Sequence, residues 1–132
     1  MIDFTNSRFI KLSNVDPETL RGQIAHVLIE GENLMVAAKG SRDFVVFTSK
    51  RIIVVNVQGV TGKKVDISSL PLKGIQAFSI ETAGTFDRDA ELDMWFSGLG
   101  HVKLEFAGSF DLGYVARLIG WATLPGSDKA AS

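Results

Sequence analysis

No cysteine occurs in the 132 residues, which excludes disulfide bonds and thiolate chemistry and fits a reducing compartment. Charge of one sign is also missing. Fourteen Lys and Arg face fifteen Asp and Glu, a formal net charge of −1, so no overall field draws the chain to nucleic acid or to an anionic membrane. No apolar run reaches the roughly 18 residues that a spanning helix requires. The opening MIDFTNSRFIK has neither a long apolar stretch nor a small-residue cleavage site, so it does not read as a signal peptide, and the expected location is cytoplasmic. There are only two histidines, His26 and His101, and neither has a nucleophile or ligand partner nearby in sequence. The expectation is a protein that is not an enzyme and has no cofactor and no metal.

What is present describes an ordinary globular chain, 45% apolar and 22% charged. Its length supports one domain, residues 1–132, with a core that needs no staples. In NVDPETLRGQIAHVLIEGE, Asp16 can cap, Pro17 fits the first helical position and Glu18 suits the positive end of the dipole. Leu20, Ile24, Val27 and Leu28 then form one stripe and Gly31 stops it, which predicts a helix over about 16–30. Thereafter the period is two. Strands are expected near 33–38, 43–48, 51–57, 64–68, 75–82, 91–97 and 101–107, with hairpin turns at Ser49-Lys50 and at SGLG, 97–100. A second helix is expected over about 110–124, followed by a tail at 125–132. Leu112, Val115, Ala116 and Ile119 make its core stripe, while Tyr114, Leu118 and Trp121 form another nearly opposite, the mark of a helix that touches two bodies. Helix, seven antiparallel strands and helix specify a mainly β sandwich or partly open barrel with a helix at one end. Expected core residues are Phe47, Ile53, Ile80, Leu92, Met94, Phe96, Leu104, Phe106 and Ile119.

Two segments invite ligand readings. Gly59 and Gly62 beside Lys63 and Lys64 suggest a phosphate cradle. A P-loop, however, needs wider glycine spacing, a hydroxyl residue after the lysine and a following helix, and here Val65 and a strand follow. A glycine turn between strands fits better. Asp87, Asp89, Glu91 and Asp93 recur at period two, but Leu92 and Gly98 stand where an EF-hand needs Gly and Glu. On a strand, such carboxylates line the wet face while Leu92, Met94 and Phe96 point inward.

Two further features concern association. Residues 39–64 carry Lys39, Arg42, Lys50, Arg51, Lys63 and Lys64 against Asp43, net +5, while residues 81–93 are net −4. Such poles can bind an anion or let copies meet head to tail. The runs DFVVFT and RIIVVNV are apolar on both faces, so both faces need a cover. The cover is either the N-terminal helix of the same chain or a neighbouring subunit, and the segregated charge and spare helical stripe favour the neighbour.

The segments GSRDFVVFTSKRIIVVNVQGVTGKK and FSIETAGTFDRDAELDMWFSG together resemble the bacterial pleckstrin-homology-like (PH-like) domain family. The pattern is RD-x3-FT-x-KR, QG-x-TG-KK and ETAG-x-FD-x-DAEL-x-x-W-x-SG. It is carried by Arg42, Asp43, Phe47, Thr48, Lys50, Arg51, Gln58, Gly59, Thr61–Lys64, Glu81–Gly84, Phe86, Asp87, Asp89–Leu92, Trp95, Ser97 and Gly98. The resemblance covers about 30–124. It implies a PH-like roll of two near-orthogonal antiparallel sheets over about 33–107, capped by the C-terminal helix, here with an added N-terminal helix. It also implies a non-enzymatic module of a kind whose members form cyclic homo-oligomers. The role expected here is an interaction or scaffold module that assembles into a ring, a small one such as a pentamer, and binds a protein partner.

Pleckstrin domains that bind inositol phosphates often carry K-xn-[KR]-x-R across the first hairpin, and Phe44 stands where the last Arg belongs. In such a fold the 39–42, 58–63 and 98–100 loops share the open end. Lys39, Arg42, Lys63 and Lys64 would then ring a mouth for a partner or an anionic headgroup, with peripheral membrane contact as the alternative role. Tyr114, Leu118 and Trp121 are the expected subunit contact.

Overall fold

The computed structural model describes residues 1–5, 9–82 and 89–126. Its elements are β1 (Phe9–Val15), a helical segment over 17–27 whose one α turn is α1 (Arg21–Ile24), then β2 (Leu34–Lys39), β3 (Phe44–Thr48), β4 (Arg51–Gln58), β5 (Lys64–Pro71), β6 (Ile75–Glu81), β7 (Asp89–Phe96), β8 (Gly100–Ala107) and α2 (Leu112–Thr123). The strands form one curved sheet in the order β5-β4-β3-β2-β1-β8-β7-β6. It is a PH-like half-barrel, and α2 packs on β6 and on the turn at Leu72–Gly74. The expected fold class holds, with eight strands in place of seven.

The additional strand is β1, which pairs antiparallel with β2 and parallel with β8, so one ladder of the sheet is not antiparallel. Its sequence FIKLSNV hides it. Lys11 has φ +54°, and the register with β8 shifts between Phe9 and Leu12. This irregularity turns the strand so that Phe9 and Leu12, three apart, both face the core, and the period of two is lost.

The expected N-terminal helix is correct in place but not in form. It is a 3₁₀ turn (Pro17–Leu20), the single turn α1 and another 3₁₀ turn (Ala25–Val27). The Asp16 carboxylate accepts from the Glu18 N–H at 3.0 Å and Pro17 follows it, as the sequence indicates. Gly22, poor in a helix interior, stands inside the single α turn.

This segment covers the outer face of the sheet. Leu20 and Ile24 pack there with Ala37, Phe44, Val46, Ile53 and Val55. Val45, Phe47, Ile52 and Val54 face the other way, into the main core with Leu92, Leu104, Phe106 and Ile119. Strands β3 and β4 therefore do alternate, between two buried faces. Their double apolarity is satisfied within one chain, which removes it as an argument for a neighbouring subunit.

Among the expected core residues, Ile53 lies in the outer cluster. Ile80 is 37% exposed and is the one correction: Phe78, two residues earlier, is the β6 side chain that packs against the core.

A buried ion pair holds the covering segment down. Glu32, its side chain fully buried, accepts from Arg51 Nε and Nη2, both at 2.8 Å, and from the Thr48 hydroxyl at 2.6 Å. The Ile29 N–H also donates to it at 3.2 Å, and Arg51 Nη2 donates to the Val27 carbonyl as well. Burial alone would raise the Glu32 pKa. The hydrogen bonds from Arg51, Thr48 and the Ile29 amide outweigh it and bring the carboxyl down to about 2.

Candidate functional site

Register brings the basic loops together. Lys39 pairs with Phe44 across the β2–β3 hairpin, Phe44 with Val55, and Gln58 with Lys64, so the 40–43 and 59–63 turns emerge at the same end of the sheet. Arg42 Nη2 donates to the Gly59 carbonyl at 2.5 Å and ties one turn to the other. Asp43 anchors the base by accepting from Asn56 Nδ2 and the Val57 N–H, each at 3.0 Å. Gly59 and Gly62 have φ +78° and +68°, and a Cβ at Gly62 would lie 3.5 Å from Arg42 Nη2. Glycine there permits the turn's positive φ, and the space over Gly62 toward Arg42 is that of an ordinary contact. The loop is a β-turn between strands, as its spacing indicates.

The six cations of 39–64 do not form one pole. Lys39, Arg42, Lys63 and Lys64 stand at this end, all exposed. Lys50 sits on the β3–β4 turn at the opposite end of those strands, and Arg51 is spent on Glu32. Among the described residues Lys39, Lys63 and Lys64 have no carboxylate within 4 Å. The 98–100 turn belongs to β7 and β8, which β1 separates from β2, and no described hydrogen bond or ion pair joins it to the basic loops.

On the acidic side, Leu92, Met94 and Phe96 point inward, as the alternation requires, and Glu91 and Asp93 point outward. Asp93 meets His101 at 2.6 Å and Glu91 meets Lys103 at 3.6 Å across the β7–β8 ladder. Trp95, 42% exposed, stacks on the His101 ring at 5.0 Å. Asp87 lies outside the described residues.

Helix α2 begins at Asp111, whose carboxylate accepts from the Tyr114 N–H at 3.0 Å. The expected spare stripe is only partly spare. Leu118 is 5% exposed and belongs to the main core, while Tyr114 and Trp121 are half-buried at its margin with ring centroids 6.4 Å apart. Trp121 divides two clefts. One, of about 390 Å³, lies between α2 and β6 and is lined by Phe78, Ala116, Arg117, Gly120, Trp121 and Leu124. The other, of about 420 Å³, runs from α2 to the β3–β4 turn. Neither was visible in the sequence, because each joins residues far apart in the chain.

An eight-stranded half-barrel with a helix at one end defines a pleckstrin-homology-like module. The model of the bacterial PH domain family matches residues 3–123, and the chain belongs to that family. Two Bacillus subtilis relatives carry the name uncharacterized protein. YjqA is 49% identical over 86 residues, 65% of this chain and 69% of its own. YozO is 34% identical over 106 residues, 80% of this chain and 91% of its own. A crystal structure of a pleckstrin-homology-domain protein from Shewanella loihica superposes with TM-score 0.76 at 38% identity, covering 87% of this chain and 99% of that one. A pleckstrin homology domain from Shewanella amazonensis gives 0.64 at 43%, covering 85% and 91%.

Proposed function

We propose that this PH-like domain is a non-catalytic interaction module that assembles with copies of itself into a closed ring and presents that ring to a protein partner. The observation that carries the reading is the α2–β6 face. Strand β6 ends the sheet, so among the described residues one of its edges has no strand beside it, and the apolar 390 Å³ cleft opens between its Phe78 and α2. An open edge next to an apolar groove is a surface that natural sheets cover. A second copy offering a different surface would cover it, and a head-to-tail contact of that kind closes into a cycle when the rotation permits. Because Leu118 is core, the informative variants are Leu124→Glu and Trp121→Glu. Both should give smaller particles with an unchanged circular dichroism spectrum. Full-sized assemblies from both would move the contact elsewhere.

A second reading rests on the loop pair bridged by Arg42. Lys39, Lys63 and Lys64 around a fixed guanidinium suit a phosphate-bearing headgroup. Sedimentation with phosphatidylglycerol vesicles at low salt should then occur, weaken as salt rises and be lost in a Lys63→Glu, Lys64→Glu variant. No sedimentation at low salt removes this reading.

A further inference from the structure

The cleft of about 420 Å³ between α2 and the β3–β4 turn lies at the opposite end of β3 and β4 from the basic loop pair, and Trp121 alone of its lining residues is shared with the α2–β6 groove. Met35, Leu118, Trp121 and Ala122 give it apolar walls, and Lys50 and Lys73 stand at its rim with Asn33 and Ser49. The rim is held by the backbone. The Ser49 N–H donates to the Asn33 carbonyl at 2.8 Å, the Asn33 N–H to Ser49 Oγ at 3.0 Å, and the Leu72 N–H to the Lys50 carbonyl at 3.0 Å. That last bond sets the Lys50 and Lys73 backbones side by side. Among the described residues neither lysine has a carboxylate within 4 Å. The volume is that of a small-ligand pocket, and an apolar interior with a few convergent polar groups is the usual make-up of one.

We propose that this cleft binds a small single-tailed amphipathic anion, its alkyl chain against Met35, Leu118, Trp121 and Ala122 and its carboxylate or phosphomonoester head between Lys50 and Lys73. Two ammonium groups at a shared rim favour an anion, and a wall without charge favours a tail. No residue from another copy is needed to complete the site, although Trp121 also borders the α2–β6 groove of the proposed ring contact.

The test uses the full chain carrying Trp95→Phe, which leaves Trp121 as the one tryptophan. Octanoate, octyl phosphate and neutral octanol are titrated while Trp121 emission is followed, with calorimetry in parallel. Saturable binding of at least one anion is expected, with octanol about tenfold weaker or worse. The relative strength of octanoate and octyl phosphate identifies the head. Lys50→Ala with Lys73→Ala should cost the anion about tenfold and leave octanol unchanged, and Ala122→Phe should fill the cleft and abolish binding at an unchanged melting temperature. No saturable signal with either anion up to millimolar concentration overturns the proposal. So does octanol binding as tightly as the anions, or an anion affinity indifferent to both lysines.

Discussion

The Glu32–Arg51 pair has consequences that can be measured at the residue scale. The Glu32 carboxyl is held near pKa 2 in the fold, below its ordinary 4.5, while its hydrogen bond to Arg51 pushes the guanidinium pKa up. A carboxylate whose pKa is depressed by folding stabilises fully above its unfolded value, and that share is lost as pH falls through the folded one. The pair should therefore contribute about 3 kcal/mol at neutral pH, fading between pH 4.5 and 2. Urea midpoints over that range should flatten in Glu32→Gln. A midpoint profile that Glu32→Gln leaves as steep as before would contradict the assignment. Arg51→Met leaves the buried carboxylate unpaired and should destabilise by about 3–5 kcal/mol at pH 7. Arg51 was legible in sequence only as one of six cations. Its buried partner nineteen residues away stands in a GEN turn that looks exposed.

At the scale of elements, legibility followed periodicity. Strands β2 to β8 were readable because β-branched and aromatic runs between glycine and proline breaks leave few alternatives. Strand β1 was not, because Lys11 disturbs its alternation. Replacing Lys11 by Gly should relieve the left-handed conformation and stabilise by about 0.5–1 kcal/mol, and Lys11→Val should destabilise by more than that. Thermal unfolding decides it, and a lower melting temperature for the glycine variant would argue against the bulge. The covering segment was legible as a stripe, Leu20, Ile24, Val27 and Leu28, but not as broken 3₁₀ and α turns, which packing on the sheet permits and propensity alone does not. Ile24 has no exposed surface, so Ile24→Ala should cost about 2–4 kcal/mol in chemical denaturation. A cost under about 1 kcal/mol would mean that the segment adds little to the fold.

At the scale of the whole molecule, the two apolar faces of β3 and β4 and the apparent charge poles pointed toward a partner, and the fold accounts for part of each. The outer face is covered from within, the +5 stretch divides between two ends and a buried pair, and Leu118 joins the core. The β6 edge, which no described strand pairs, the groove at its Phe78 and Trp121 between two clefts carry what remains of the case for self-association. Light scattering on the size-separated chain at micromolar concentration tests that case most directly. A closed ring gives a single species whose mass is a whole multiple of 14.3 kDa, three or greater, and constant on dilution until the ring opens. A mass of 14.3 kDa throughout would contradict it.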